Sequence, residues 1–174
     1  MGRLAVFCAI FVCICCTASL GRPDRVRSHR MGSVTGLPLP RFAALRADKV
    51  NLRVGPGLRY PIKWVYLRAN LPVKIEREFG TWRLVENYDG VTGWVHQALL
   101  VRRRCFIVIG GRHVLRSAPD PHARPVALLD PGVIGRITRC TRTSAWCKLR
   151  VDGYRGWLPR RTFWGTLPNE AVSD

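Results

Sequence analysis

From residue 43 onward, apolar and polar side chains alternate in short runs, and Gly, Pro and Asp interrupt them at close intervals. Period-two alternation bounded by turn formers is the signature of half-buried β-strands. The pattern predicts strands near 43–47, 50–54, 62–67, 72–79, 82–87 and 92–95. A second series is predicted near 105–109, 113–116, 126–129, 133–139, 146–151 and 155–158. No segment sustains a helical period, so the expected class is all-β.

The two series are copies of one unit. Val50-Asn51-Leu52-Arg53 corresponds to His113-Val114-Leu115-Arg116, and Tyr60-Pro61 to Arg124-Pro125. Leu71 to Ile75 corresponds to Val133 to Ile137, and Trp82 to Trp146. The segment Asp89-Gly90-Val91-Thr92-Gly93-Trp94 corresponds to Asp152-Gly153-Tyr154-Arg155-Gly156-Trp157. Asp-Gly between two strands signals a two-residue hairpin loop, whose type I′ turn needs positive φ at both central residues. Asn70 and Gly132 occupy equivalent places, and both residue types tolerate positive φ, which predicts a second shared turn. Residues that persist in both copies are expected to be scaffold: Leu52, Trp82, Gly90, Gly93 and Trp94 in the first, Leu115, Trp146, Gly153, Gly156 and Trp157 in the second. A unit of about 60 residues is near the lower limit for a self-sufficient core, so the repeated tryptophans are expected to supply buried area.

Ahead of the repeats, Arg3 is followed by an unbroken apolar run from Leu4 to Cys16 and then by the small residues Thr17-Ala18-Ser19 and Gly21. This is the layout of a secretory signal peptide over 1–21, with cleavage after Ala18 or Gly21. The run falls short of the roughly 20 apolar residues of a membrane span, and an uncleaved anchor is the alternative. Residues 22–41, rich in Arg, Gly, Ser and Pro, read as a flexible basic linker. Residues 166–174 read as a short polar tail. The domain boundaries expected are 42–102 and 103–165. Arg102-Arg103-Arg104 joins the units without a flexible spacer, so the two barrels are expected to dock closely.

Charge and cysteines then narrow the class. The chain carries 29 Lys and Arg against 11 Asp and Glu, a net charge of +18. Such a charge draws anionic polymers and surfaces: nucleic acid, phospholipid headgroups, lipopolysaccharide, acidic glycans. Four of the seven cysteines lie within the leader, leaving Cys105, Cys140 and Cys147. In an oxidising compartment a disulfide is expected. Cys140 and Cys147 flank a turn between adjacent strands, and antiparallel neighbours can bring them within bridging distance. A zinc pair is the rival, although paired zinc cysteines prefer two to four intervening residues and need further ligands. Cys105 is left as a buried small residue or an intermolecular partner.

With these residues in hand, the chain resembles the bacterial SH3-like (SH3b) domain family. The resemblance rests on Val50-Asn51-Leu52-Arg53-Val54-Gly55-Pro56-Gly57, Tyr60-Pro61, Trp82 and Gly93-Trp94-Val95-His96. The second copy departs from it at Ser117-Ala118-Pro119-Asp120 but keeps Gly156-Trp157-Leu158. It implies two tandem small, partly open SH3-like β-barrels, extracytoplasmic, of a kind that accompanies cell-wall hydrolases and binds peptidoglycan peptides or other envelope ligands.

An enzyme would need a nucleophile or metal beside a base. His29, His96, His113 and His122 have no carboxylate cluster near them in sequence, so the expectation is no catalytic residue, no metal and no cofactor. A ligand-contacting aromatic need not persist in both copies. Tyr60 and Trp64 become Arg124 and Leu128 in the second copy. They point to a groove on the first copy, flanked by Arg53, Arg59 and Lys63. The alternative is that Trp64 packs between the barrels. The expected function is a non-enzymatic, exported (periplasmic or extracellular) binding module for peptidoglycan or another anionic envelope component. A protein–protein adaptor with an envelope protein as partner is the alternative. A nucleic-acid-binding protein is permitted by charge but opposed by export.

Overall fold

Twelve of the strands described are the alternating runs above, and two turns repeated at the same offset show why they fold alike. Asn70 (φ 62°) and Gly132 (φ 83°) both sit in the left-handed region. Each donates its backbone N–H to the matching strand of its own unit, to the Leu45 and Val108 carbonyls. The computed structural model describes Arg30–Ser173 and, ahead of them, Gly2. The signal peptide expected over 1–21, apart from Gly2, and residues 22–29 lie outside the described residues.

The strands are β1 (Arg30–Met31), β2 (Pro38–Leu39), β3 (Arg41–Leu45), β4 (Val50–Arg53), β5 (Ile62–Tyr66), β6 (Pro72–Phe79), β7 (Trp82–Glu86), β8 (Thr92–His96) and β9 (Leu100–Val101). The second unit holds β10 (Cys105–Val108), β11 (His113–Arg116), β12 (Pro125–Leu129), β13 (Ile134–Cys140), β14 (Trp146–Val151), β15 (Tyr154–Pro159), β16 (Phe163–Trp164) and β17 (Val172–Ser173). The sheet orders β5-β4-β8-β7-β6-β3-β9 and β12-β11-β15-β14-β13-β10-β16 are the same order written twice. The fold is therefore all-β, two tandem SH3-like barrels, as the repeat requires.

The barrels dock through a strand that each buries on both faces. In β3, Ala43 and Leu45 enter the first core, while Phe42 and Ala44 on the opposite face are also buried. In β10, Phe106 and Val108 enter the second core, while Ile107 joins the first. Trp164 closes the joint edge-on against Phe42 at 4.7 Å between ring centroids, with the Arg104 guanidinium 5.7 Å from the Phe42 ring. Arg103 crosses to the Asn70 side-chain oxygen at 2.7 Å.

Four sequence expectations are corrected. The repeated tryptophans are not core: Trp82, Trp94, Trp146 and Trp157 are only half-buried. Strand alternation decides this, because Gly93 and Val95 face inward in β8 and so turn Trp94 outward. The core lies in their neighbours Leu52, Val95, Leu115 and Leu158, all fully buried. Second, only the later Asp-Gly pair forms the expected turn, with Asp152 at φ 45° and Gly153 at 84°. The first loop is a residue longer. There Gly90 alone has positive φ, and the Asn87 side chain accepts from the Asp89 and Val91 N–H groups.

The other two corrections concern the ends. Residues 30–41 are no flexible linker. β1 pairs with β2, Leu39 is buried in the first core, and β3 begins at Arg41. The holdfast is the Glu78 carboxylate, whose side chain is wholly covered. It accepts from the Val34 and Thr35 N–H groups at 3.0 Å, the Thr35 hydroxyl at 2.7 Å and Arg41 Nη2 at 2.6 Å. The polar tail likewise folds back: β17 pairs with β13, Val172 enters the second core, and Glu170 accepts both terminal nitrogens of Arg104.

The glycines of D-G-x-x-G-W are needed where β8 and β15 cross β4 and β11. A Cβ on Gly93 would stand 2.5 Å from Leu52 Cγ and 2.9 Å from the Arg53 carbonyl oxygen. One on Gly156 would stand 2.7 Å from both the equivalent Leu115 Cγ and the Arg116 carbonyl oxygen. Gly93→Ala is therefore expected to destabilise the protein by about 1–3 kcal/mol, read as a lower denaturation midpoint; an unchanged midpoint would refute the close crossing.

Burial alone would push the Glu78 carboxyl up, but the Thr35 and Arg41 side chains and the Thr35 and Val34 N–H groups outweigh it and hold it down to about 2. A depressed folded value means stability present above the ordinary carboxylate range and lost as pH falls toward 2. Glu78→Gln is expected to cost about 2 kcal/mol at neutral pH, to flatten the acid limb of stability against pH and to expose the 30–41 arm to trypsin. An arm equally protected in wild type and variant would contradict this anchoring.

Candidate binding surfaces

The loop between β4 and β5 is folded identically in both units, and it fixes what Arg53 does. Arg53 Nη1 donates to the Tyr60 carbonyl at 2.7 Å and the Leu58 carbonyl at 3.1 Å. Arg116, its counterpart, donates to the Ala123 carbonyl at 2.7 Å. Arg53 thus belongs to the shared scaffold. Tyr60 is half-buried with its ring laid against Gly55, where a Cβ would stand 2.5 Å from the ring. Arg59 stacks over that ring, its guanidinium 5.2 Å from the centroid.

Trp64 is placed elsewhere. It does not pack between the barrels, where Phe42, Ile107 and Trp164 make the joint. It lies on β5, the terminal strand of its sheet, and is 53% exposed. Ile62, Val65 and Leu67 are exposed beside it. A shallow concavity over this strand is lined by Ile62, Lys63, Trp64 and Val65, without Tyr60. Lys63 reaches the Thr92 carbonyl on β8 at 2.9 Å and sets a cation at its rim. The five candidates therefore divide into a loop group (Arg53, Arg59, Tyr60) and an edge group (Lys63, Trp64).

Cys105, Cys140, Cys147, His96 and His113 are engaged in structure. Cys140 and Cys147 are bonded, with Cα atoms 4.5 Å apart on directly opposed positions of β13 and β14. Cys105 is buried, and burial pushes its thiol up to about 11, so it is no accessible thiolate. His96 Nδ1 accepts from the Ala98 N–H, and its ring meets Trp82 edge-on at 5.4 Å. His113 Nε2 lies 3.1 Å from the Ile109 carbonyl. Among the described residues no three His, Cys, Asp or Glu side chains stand together as metal ligands.

One surface escaped the sequence reading. On the outer face of β13, β14 and β15 a concavity of about 300 Å³ is lined by Arg136, Thr138, Arg139, Lys148, Arg150 and Arg155. The signal was present in the alternation of the second copy, but the conspicuous arginine runs at 102–104 and 160–161 are contiguous in sequence, whereas this cluster assembles only through strand register.

No curated protein matches the chain. Solved structures similar to the chain include NlpC2 from Trichomonas vaginalis, 12% identical over 72% of this chain with a TM-score of 0.33, and NlpC1 from the same organism, 12% identical over 76% with a TM-score of 0.33. This chain spans 48% of the length of each. The bacterial SH3 domain matches twice, at residues 46–101 and 110–165, once on each barrel. The chain belongs to the bacterial SH3 domain family.

Proposed function

We propose that the chain is a non-enzymatic, exported binding module of the cell envelope, recognising peptidoglycan or another anionic envelope ligand through the first barrel. Bacterial SH3 domains are generally cell-wall binding modules and typically extracellular or periplasmic. Among the described residues no helix is long and apolar enough to cross a membrane. The observation that carries the reading is the exposed Trp64 on a free sheet edge, with Ile62 and Val65 beside it and Lys63 at the rim. An indole face suits sugar rings and peptide side chains, and the neighbouring cation favours an anionic partner. The register corrects the pairing expected from sequence: Trp64 stands opposite Leu52 as Ala127, not Leu128, stands opposite Leu115, and Tyr60 is matched by Ala123, not Arg124, so the second barrel lacks both rings.

The same edge supports a second reading, a protein adaptor. β5 leaves one row of backbone donors and acceptors outside the ladder, and its exposed apolar side chains could accompany a strand added by a partner.

Co-sedimentation with purified sacculi over a series of salt concentrations separates these. Envelope recognition predicts binding that persists at moderate salt and falls at least tenfold in Trp64→Ala, while the melting temperature stays within a degree or two because the side chain is exposed. Binding abolished by salt and indifferent to Trp64 would reduce the interaction to charge alone. No sacculus binding, with Trp64-dependent capture of an extended peptide, would transfer the site to the adaptor reading.

A further inference from the structure

The cationic face of the second barrel is organised by strand register. Arg136 of β13 stands opposite Arg150 of β14, and Arg150 opposite Arg155 of β15. In the next row Arg139 stands opposite Lys148, and Lys148 opposite Trp157. The two rows coincide because the register shifts between Ile137 and Arg139, so that Arg136 and Arg139 are both exposed while Ile137 and Cys140 both face the core. Strands are about 4.8 Å apart, so three guanidinium groups are rooted side by side. Like charges directly opposite destabilise a sheet. Among the described residues, Arg139, Lys148, Arg150 and Arg155 form no ion pair that would offset this.

The first barrel shows the same positions without the repulsion. Lys74 takes the place of Arg136 and is paired with Glu86 at 3.0 Å and Glu76 at 2.9 Å. Glu86 takes the place of Arg150, Thr92 that of Arg155, and Leu84 that of Lys148. The fold thus works with a neutral face, and the second barrel departs from it at three adjacent positions, each toward positive charge.

We propose that this face is a binding site for a small ligand bearing two or more clustered phosphate groups. Guanidinium forks match phosphate geometry, and the several acceptor oxygens of a phosphate can engage more than one fork at once. A site of about 300 Å³ is at the small end of ligand cavities, so the four cations Arg139, Lys148, Arg150 and Arg155 call for a compact, densely charged partner. The site lies on the second barrel and does not depend on the Trp64 edge. Clustered phosphate can reach it free in solution or on a lipid headgroup, and both sources share this chemistry.

Titration calorimetry of the full chain with inorganic tripolyphosphate tests the site, beside co-sedimentation with phosphatidylcholine vesicles containing phosphatidylinositol 4,5-bisphosphate, whose headgroup carries clustered phosphates. The proposal expects binding in at least one arm, weakened at least tenfold in Arg150→Gln/Arg155→Gln and unchanged in Trp64→Ala. The matched control Arg46→Gln/Arg102→Gln removes two exposed charges from the first barrel and its exit, and is expected to weaken binding less than threefold. Tripolyphosphate binding assigns the soluble source, and vesicle binding alone the headgroup. Binding in neither arm, or equal loss in the control, overturns the proposal. A single-stranded oligonucleotide held through Arg150 and Arg155, when neither phosphate probe binds, overturns it in favour of nucleic acid. The melting temperature supplies a second measurement: Arg150→Gln should raise it at low salt, with the gain shrinking as salt is added, and a fall at low salt would show the arginines already compensated within the protein.

Discussion

The structure depends on two strands that have no solvent face. β3 and β10 occupy the same place in their respective barrels, and each is buried on both sides. Ile107 shows what this does, since it belongs to the second barrel's strand and the first barrel's core. A barrel of about 60 residues has little core to spare. Sharing side chains across the joint enlarges both cores and fixes their mutual orientation. The two outward-facing surfaces, the β5 edge of one unit and the β13–β15 face of the other, are therefore held in constant relation.

The copies solve one problem with different chemistry. At the turn end of the long hairpin, Glu78 is opposite Arg83 in the first barrel and Cys140 is opposite Cys147 in the second. The carboxylate gathers the chain that arrives from the N-terminal side; the disulfide closes the hairpin beside the strand that returns from the C-terminal side. Arg160 reinforces the latter by donating to the Thr141 and Glu170 carbonyls. One barrel's end is thus held by an ionised carboxylate and the other's by a covalent bond.

Divergence between the copies also separates scaffold from recognition. Gly93 and Gly156, Leu52 and Leu115, and Arg53 and Arg116 do the same work in both units, and a substitution at any of them strikes the fold. Trp64 and the row Arg136, Arg150 and Arg155 have no such duplicates. They lie on exposed faces, where a change of chemistry leaves the barrel intact.

The sequence alone determined the all-β class, the repeat and the place of the twelve strands that the two copies share, and it made the disulfide the leading pairing, because each is written in local alternation, turn residues and spacing. It also determined that Trp64 differs between the copies. Tertiary structure decided the rest. The tryptophans of D-G-x-x-G-W proved half-exposed because Gly93 and Val95 claim the inner face, a choice of side that alternation cannot make. The segments at 30–41 and 166–173 look polar and loose in sequence, yet they are held by Glu78, Arg104 and strand β13, partners dozens of residues away. The arginines of the second barrel are scattered through the sequence and become one surface only when three strands align, since register is a property of the sheet and not of any single segment.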